Sequence, residues 1–301
     1  MKNSLNSLSE EQLNSLILKA EDLFKTGTCC PLRCGGSDIR PCGAVEEGIK
    51  VASFSVHDGE EPPVSGWSGA GNIFFSGCSA KCIFCQNWPI SHDNNGKVYS
   101  IEKFGENVVK LLKKKVHNIN LVTSDHYLGR ILESFHNIKS ELTVPVVYNC
   151  NGAHTKELFE IILEISDIFL FDVKYATDAP SAQFSNIKEY VKYNRMCLEM
   201  LLAKNIPWTE NEVGILKKGL IIRHLVLPGF VENSLQVVEL LNEFKNLGLD
   251  FKLSLMSQYF PAYKAFNHPL INRKLTVEEY SQVTSLVEKY EIDGWIQEIE
   301  E

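Results

Sequence analysis

The sequence lacks the features that mark several large classes of protein. No uninterrupted apolar run approaches the roughly 20 residues of a membrane-spanning helix, and no basic-then-apolar signal peptide opens the chain. Basic residues are not in excess, because 30 Lys and Arg stand against 38 Asp and Glu, a formal net charge of −8. We therefore expect a cytoplasmic protein that binds neither nucleic acid nor a membrane.

Internal repeats and low-complexity tracts are also lacking. The 301 residues are 44% hydrophobic and 23% charged, which excludes disorder, collagen-like repeats and coiled coil and allows one large domain or two ordinary ones. What stands out is nine cysteines. A secreted disulfide scaffold is shorter and has a signal sequence, so these cysteines indicate metal-binding or catalytic thiolates.

The hydrophobic pattern predicts an α/β fold. Residues 1–27 read as one amphipathic helix with a Ser9–Gln12 capping box, and residues 28–71 read as irregular loop. Predicted strands then alternate with helices. The strands are 72–76, 119–123, 144–149, 168–173, 220–227 and 251–256; the helices are 100–115, 127–140, 155–166, 181–204 and 233–247, and a last helix follows the Thr276–Glu279 capping box.

Such alternation implies a parallel sheet with right-handed crossovers, either open or rolled into a barrel. In both arrangements chemistry is found at the carboxyl ends of the strands. The informative polar residues fall there: Cys78, then 123–126, 149–152, Asp172 with Lys174, Pro228-Gly229 and 257–259.

Three cysteines lie within eight residues after the first of these strands. Cys78, Cys82 and Cys85 have the spacing C-x3-C-x2-C. A structural zinc site needs four ligands, and His92 is the nearest candidate for the fourth. An iron–sulfur cubane held by three cysteines leaves one iron open to an amine and a carboxylate, which S-adenosylmethionine supplies. The alternative is a zinc knuckle or a cluster used only for electron transfer.

With Phe84 before the last cysteine, this loop resembles the signature of radical S-adenosylmethionine (radical SAM) enzymes. Further runs resemble a group named for pyruvate formate-lyase activating enzymes, over nearly the whole chain from about residue 28. These runs are HDGEEPPVSG (57–66), NIFFSGCSAKCIFCQN (72–87), IRHLVLPG (222–229) and LMSQYFPAYKA (255–265).

The resemblance implies a partial (β/α)6 TIM-like barrel over residues 72–256. An N-terminal helix and Cys-rich segment (1–71) and a C-terminal helical extension (257–301) would flank it. It also implies a 4Fe-4S cluster on the three cysteines, reductive cleavage of S-adenosylmethionine to a 5′-deoxyadenosyl radical, and hydrogen-atom abstraction.

The named role of the group is activation of a glycyl-radical enzyme, with an electron donor such as flavodoxin or ferredoxin. One alternative is a radical SAM modifier of a small molecule or peptide. A different class is a non-catalytic zinc or iron–sulfur protein.

Cofactor-binding residues follow from the same resemblance. Asp172 and Lys174 match a D-x-K that contacts the cofactor in related activating enzymes, and Arg223 begins a matching R-x4-P-G. The alternatives are a solvated pair for Asp172 and Lys174, and a structural ion pair for Arg223.

The chain departs from those relatives after the second predicted strand. It has no Gly-Gly-Glu there, so we expect Ser124, Asp125 or His126 to accept the hydrogen bond from the cofactor's amine instead. His126 is equally interpreted as a residue at the start of a helix, without a role as ligand. After the third strand, Asn151 and Gly152 match the relatives' pattern. Cys150 and Cys197 read as buried core residues.

A second group of cysteines precedes the barrel. Cys29, Cys30, Cys34 and Cys42 form either a zinc site, a second iron–sulfur site or a metal-free packed loop, since Gly27 stands where relatives have their first cysteine. The acidic run at 57–63 is either a solvated loop or a substrate contact through Glu60 or Glu61.

Overall fold

The structure of the chain is a computed structural model in which residues 3–36 and 40–299 are described. Residues 37–39, part of the predicted N-terminal loop, lie outside the described residues. Within the described part, no helix is both long enough and apolar enough to cross a membrane.

Eleven α-helices, ten strands and two short 3-10 helices (Asp125–Tyr127 and Tyr263–Asn267) make up the described fold. The helices are α1 (Ser4–Ser7), α2 (Glu10–Lys25), α3 (Pro62–Ser65), α4 (Trp88–Ser91), α5 (Ile101–Leu112), α6 (Leu128–Asn137), α7 (Lys156–Ile165), α8 (Asp178–Ser185), α9 (Tyr190–Lys204), α10 (Val231–Asn246) and α11 (Val277–Lys289). The strands are β1 (Ile49–His57), β2 (Ala70–Phe75), β3 (Lys97–Tyr99), β4 (Ile119–Val122), β5 (Val146–Cys150), β6 (Ile168–Asp172), β7 (Thr209–Glu210), β8 (Leu216–Leu225), β9 (Lys252–Met256) and β10 (Gly294–Ile296).

One mostly parallel sheet runs through the molecule in the order β10-β9-β8-β6-β5-β4-β2-β1-β3. The six predicted strands are β2, β4, β5, β6, β8 and β9, and they pair in parallel in that succession. Strand β1 pairs antiparallel with β2 and with β3. Within residues 3–36 and 40–299 the edge strands do not pair with each other, so the sheet is open and the predicted partial barrel is confirmed.

Three predictions about the elements are wrong. The N-terminal helix is broken, because Leu8 is extended (φ −74°, ψ 142°) and α2 begins anew with the predicted capping box on Ser9. Part of the predicted loop is β1, whose mixed polar and apolar residues hide its pairing with β2. The predicted helix 181–204 is split into α8 and α9 by Asn186 and Glu189, which have left-handed φ of 54°.

The two faces of the sheet carry different side chains because neighbouring residues of a strand point to opposite sides. On β5, β6 and β8, Tyr148, Phe171 and Ile222 belong to the large core beneath the helices. The inner face carries a second apolar cluster. Its members are Val64, Ala70, Val147, Ile168, Leu170, Leu216 and Ile221, with Val64 contributed by α3.

We call residues 58–69, which join β1 to β2 and include α3, the plug segment. Glu60 of this segment accepts a hydrogen bond from Asn72 of β2 (2.7 Å) and also pairs with Arg223 of β8. In a flat sheet, the four strand steps between β2 and β8 would separate them by roughly 19 Å. One side chain that reaches both shows that the sheet curves around the plug segment.

A buried polar layer lies where the plug segment meets the sheet. The Arg223 guanidinium donates to Glu61 through Nε (2.7 Å) and Nη2 (2.5 Å), and Nη2 also contacts Glu60. Asn120 Nδ2 donates to Glu60 Oε1 (3.0 Å). Burial disfavours the charged form of Arg223, but the carboxylates of Glu61 and Glu60 outweigh it and raise the pKa of Arg223. Burial alone would raise the pKa of Glu61, whereas Arg223 lowers it.

Removal of this guanidinium should destabilise the folded protein strongly. Arg223→Leu leaves two buried carboxylates without their cation, and we expect it to lower the free energy of unfolding by about 3–5 kcal/mol. Urea denaturation followed by circular dichroism measures the change. The control is Arg195→Leu, which breaks an exposed pair with Glu243 and should cost about 1 kcal/mol or less. An Arg223→Leu protein as stable as this control would contradict the assignment.

Candidate functional site

The loop after β2 carries the three clustered cysteines; we call residues 77–85 the cluster loop. Gly77 begins it with a left-handed φ of 86°, and a Cβ there would lie 2.0 Å from the Cys42 carbonyl oxygen. The Cys78 N–H donates to the same carbonyl (3.0 Å). Only glycine allows this approach, which brings the N-terminal cysteine segment against the cluster loop.

Cys78, Cys82 and Cys85 border one cavity of about 200 Å³ at the carboxyl ends of the parallel strands. Part of the predicted strand-end set borders it too. Besides Cys78, these residues are Thr123 after β4, Asn149, Cys150 and Asn151 at the end of β5, and Asp172 and Lys174 at the end of β6. Residues 124–126, Gly152, Pro228-Gly229 and residues 257–259 do not line this cavity. The cysteine loop and the ends of β4, β5 and β6 therefore meet at one edge of the sheet.

Each of the three thiols has a polar neighbour. Ser185 Oγ lies 3.0 Å from Cys82 Sγ, and Ser91 Oγ lies 3.1 Å from Cys85 Sγ. Asn151 Nδ2 lies 3.9 Å from Cys78 Sγ. Burial raises the pKa of Cys78 and Cys82. These thiols therefore need a positive charge beside them to become thiolates.

Asp172 and Lys174 form an ion pair beside the cavity, and their side chains are 19% and 23% exposed. Burial disfavours the ammonium of Lys174, but the Asp172 carboxylate and the negative charge of an ionised Cys82 outweigh this and raise its pKa. Gly152 (φ 79°) makes room for the strand end, because a Cβ there would lie 1.9 Å from the Asp172 carbonyl oxygen. The pair is thus held at the cavity, not free in solvent.

The predicted acceptors after β4 are buried. Asp125 accepts a hydrogen bond from Tyr148 (2.5 Å) and lies 3.3 Å from His154 Nδ1. His126 Nε2 lies 2.9 Å from the Ser76 carbonyl oxygen. Ser124 is fully buried, while the preceding residue, Thr123, borders the cavity.

A buried charge pair behind the strand ends was not visible in the sequence. Burial would raise the pKa of Asp125, but His154 lowers it. Burial would likewise lower the pKa of His154, whereas Asp125 and Cys150 raise it to about 10. Asp125 is therefore already paired inside the protein, and its role as acceptor for a cofactor amine stays a prediction.

Arg223 lies in the polar layer described above. Of its two sequence interpretations, the structure shows the ion pair, with Glu60 and Glu61 as partners. The side chains of the two glutamates are 8% and 7% exposed, so the interpretation as a solvated loop is wrong for Glu60 and Glu61, whereas residues 57–59 are exposed. A contact of Arg223 with the cofactor carboxylate stays a prediction.

His92, the candidate fourth zinc ligand, has its Nε2 2.9 Å from the Cys82 carbonyl oxygen and its ring against Tyr263, 4.3 Å between centroids. This nitrogen therefore faces the loop backbone. Across residues 3–36 and 40–299, no three His, Cys, Asp or Glu side chains already stand at the distances of a single metal ion.

The second cysteine group lies next to the cluster loop. Cys29, Cys30 and Cys42 are buried, and Cys34 is half-buried. A hydrogen bond to Cys30 and burial raise the pKa of Cys29, so the two neighbouring thiols lie side by side. Thr155 Oγ1 donates to the Thr28 carbonyl (3.0 Å) and fixes this segment beside His154. Metal binding by the group stays a prediction.

The donor set of the cluster loop fits an iron–sulfur cubane. In a cubane each cysteine ligates a different iron, so the thiolates stand around a volume and not around a point. Three thiols here border one cavity, and they are soft ligands of the kind that such clusters take. The cavity also has the amide, carboxylate and ammonium groups that a charged organic ligand requires.

Sequence reasoning missed Ser91 and Ser185, which contact two of the thiols, and Tyr175, whose Oη lies 2.6 Å from Ser185 Oγ. Ser185 is 103 residues from Cys82 along the chain, and no local pattern marks it. Ser91 is closer, six residues after Cys85, but a serine at the end of a short helix has many ordinary uses.

Comparison with known proteins agrees with this geometry. Residues 72–217 match the model of the Radical SAM superfamily. The Methanocaldococcus jannaschii protein named "Uncharacterized protein MJ0674" is 30% identical over 302 residues, which cover 96% of this chain and 82% of that protein.

Two solved structures to which the chain is similar are SuiB and methylornithine synthase. SuiB of Streptococcus suis bound to S-adenosylmethionine is 13% identical with a TM-score of 0.48, over 73% of this chain and 48% of that one. Methylornithine synthase is 12% identical with a TM-score of 0.45, over 95% and 72%. The chain thus spans about half the length of SuiB. The family match shows that residues 72–217, which include the cluster loop and the ends of β4, β5 and β6, belong to the radical SAM superfamily.

Proposed function

We propose that the protein is a radical SAM enzyme whose 4Fe-4S cluster is held by Cys78, Cys82 and Cys85. One observation carries this proposal: three thiols of a single loop border the same cavity as Asp172 and Lys174. A structural metal site would have no use for a charged pair at its edge. A site for a metal cluster together with a small zwitterionic ligand needs both.

When bound, the cluster and S-adenosylmethionine supply reductive cleavage to methionine and a 5′-deoxyadenosyl radical for hydrogen-atom abstraction. The protein's own residues would hold and orient the cluster and S-adenosylmethionine and shield them from water. Phe84 of the cluster loop packs against Tyr259, their ring centroids 6.2 Å apart, and both are buried. Both belong to the same buried apolar cluster as Cys78 and Cys82.

The charged pair suits the polar ends of S-adenosylmethionine. A carboxylate such as that of Asp172 accepts hydrogen bonds from ribose hydroxyls, and the ammonium of Lys174 attracts a carboxylate. Lys174 stays positively charged because its pKa is raised. Tyr190 and Asn194 of α9 hold this strand end in place, since both donate to the Asp172 carbonyl, each at 3.1 Å.

For the substrate, we propose a glycyl-radical enzyme, with a one-electron donor of the flavodoxin or ferredoxin type. The support is the resemblance of four sequence runs to pyruvate formate-lyase activating enzymes. Two of these runs, 57–66 and 222–229, stabilise the fold, because they supply Glu60, Glu61 and Arg223 to the buried polar layer. The support for the substrate therefore comes from run 255–265 and from the part of run 72–87 outside the cysteine motif.

Loss of one cluster ligand should abolish the chemistry. We expect Cys82→Ala, purified without oxygen, to lose most of its iron and to produce no 5′-deoxyadenosine with dithionite and S-adenosylmethionine. Iron analysis, absorbance near 400 nm and mass spectrometry measure this. The control is Cys197→Ala, which changes a fully buried thiol of the helix-side core and should keep iron and activity. Full cleavage by Cys82→Ala would rule out the ligand assignment.

The charged pair should determine affinity for the cofactor. Lys174→Met removes the ammonium that attracts the carboxylate, and we expect S-adenosylmethionine to bind at least about tenfold more weakly, about 1.4 kcal/mol. Equilibrium dialysis on the iron-loaded protein gives the dissociation constant. Lys192→Met, on the exposed face of α9, is the control. Unchanged affinity in Lys174→Met would contradict the proposed contact.

The substrate proposal has its own test. Anaerobic mixing of the reduced protein with pyruvate formate-lyase and S-adenosylmethionine should give a glycyl-radical signal in electron paramagnetic resonance. The protein without S-adenosylmethionine is the control. If 5′-deoxyadenosine forms but no protein radical appears, this enzyme is not the substrate, while radical SAM activity itself stands.

A further inference from the structure

Hydroxyl groups that the family motif does not include contact two of the three cluster-loop sulfurs. Ser185 Oγ is 3.0 Å from Cys82 Sγ, and Ser91 Oγ is 3.1 Å from Cys85 Sγ. The two serines come from different elements, the last residue of α8 and the last residue of α4. Both are buried, so water does not compete freely for these sulfurs.

Helix α8 is fixed to the cluster loop by backbone hydrogen bonds on both sides of Cys82. The Lys81 N–H donates to the Ser185 carbonyl (2.9 Å), and the Ile83 N–H donates to the Phe184 carbonyl (2.8 Å). These two bonds hold the Ser185 hydroxyl at the sulfur. The contact is therefore part of the built structure and does not depend on a mobile side chain.

A second hydroxyl lies behind the first. Tyr175 Oη is 2.6 Å from Ser185 Oγ, and both side chains are buried. A thiolate ligand has no proton and only accepts hydrogen bonds, so Ser185 must donate to Cys82 when a metal cluster is bound. The serine oxygen then accepts from Tyr175. In such a chain each hydrogen bond polarises the next.

The Ser91 contact is fixed in a comparable way. Its carbonyl oxygen accepts a hydrogen bond from Lys81 Nζ (2.9 Å), which ties α4 to the cluster loop. The hydroxyl of Ser91 is thus held beside Cys85 by a side chain of the same loop that carries the sulfur.

We propose that Ser185 and Ser91 are positioning residues that raise the reduction potential of the cluster, and that Tyr175 strengthens the bond from Ser185. This inference rests on the proposed function, because it needs a cluster on the three cysteines. The reduced cluster has one more negative charge than the oxidised one. Donors to its thiolates stabilise the reduced form more, which favours uptake of an electron.

The test is a redox titration of the anaerobically reconstituted protein, followed by electron paramagnetic resonance of the reduced cluster. We expect Ser185→Ala to lower the one-electron equilibrium constant about tenfold, which is about 59 mV. Ser91→Ala should lower the potential as well. Tyr175→Phe should cause a smaller fall, and adding it to Ser185→Ala should cause no further change, since its effect passes through the serine.

The matched control is Ser181→Ala, a buried serine of the same helix whose hydroxyl donates to the Ile187 carbonyl (2.6 Å) and not to a sulfur. Its potential should equal that of the unmodified protein. Ser185→Ala and Ser91→Ala proteins that hold their iron and keep the unmodified potential would overturn the inference.

Iron content distinguishes a failure of the proposed function from a failure of the inference about the hydroxyl groups. If the unmodified chain takes up no iron, the proposed function fails first. If Ser185→Ala alone fails to retain iron, Tyr175→Phe and Ser91→Ala decide the question, because each leaves the backbone contacts of α8 intact. A fall in potential in both supports the inference, and no fall in either refutes it.

Discussion

The pairing of one buried guanidinium with two buried carboxylates is the interaction on which the rest of this structure depends. Charged groups of either sign are costly away from water unless partners are close, and Arg223, Glu60 and Glu61 supply each other's partners. Because the arginine is on β8 and the glutamates are on the plug segment, their pairing joins that strand to the segment around which the sheet curves. Arg223 is in register with Asp172 of β6, so the pairing lies close to the strand end that borders the cavity.

The site assembles from segments far apart in sequence. The cluster loop after β2 supplies the thiols, β6 supplies the Asp172–Lys174 pair, and α8 and α4 supply hydroxyls. The N-terminal cysteine segment also lies against it through the Cys42 carbonyl. These elements lie close together because they all adjoin the same end of the parallel sheet. Loops that leave successive parallel strands meet at that end.

The sequence predicted what depends on local pattern. Six parallel strands follow from apolar runs of the right length, and both predicted capping boxes, at Ser9 and Thr276, are present. The cluster loop follows from cysteine spacing alone. Local pattern does not predict that Arg223 pairs with Glu61 or that Cys82 contacts Ser185, because these partners lie 162 and 103 residues away in the chain. Strand β1 was missed since its half-buried residues do not alternate cleanly.

The docking of α8 on the cluster loop determines at what point of synthesis this loop can form. Residues 81 and 83 take their hydrogen-bond acceptors from residues 185 and 184, about a hundred positions later in synthesis. A nascent chain therefore exposes all three cysteines well before the backbone that shapes their loop exists. The cluster loop can therefore take its final shape only after the ribosome has passed α8.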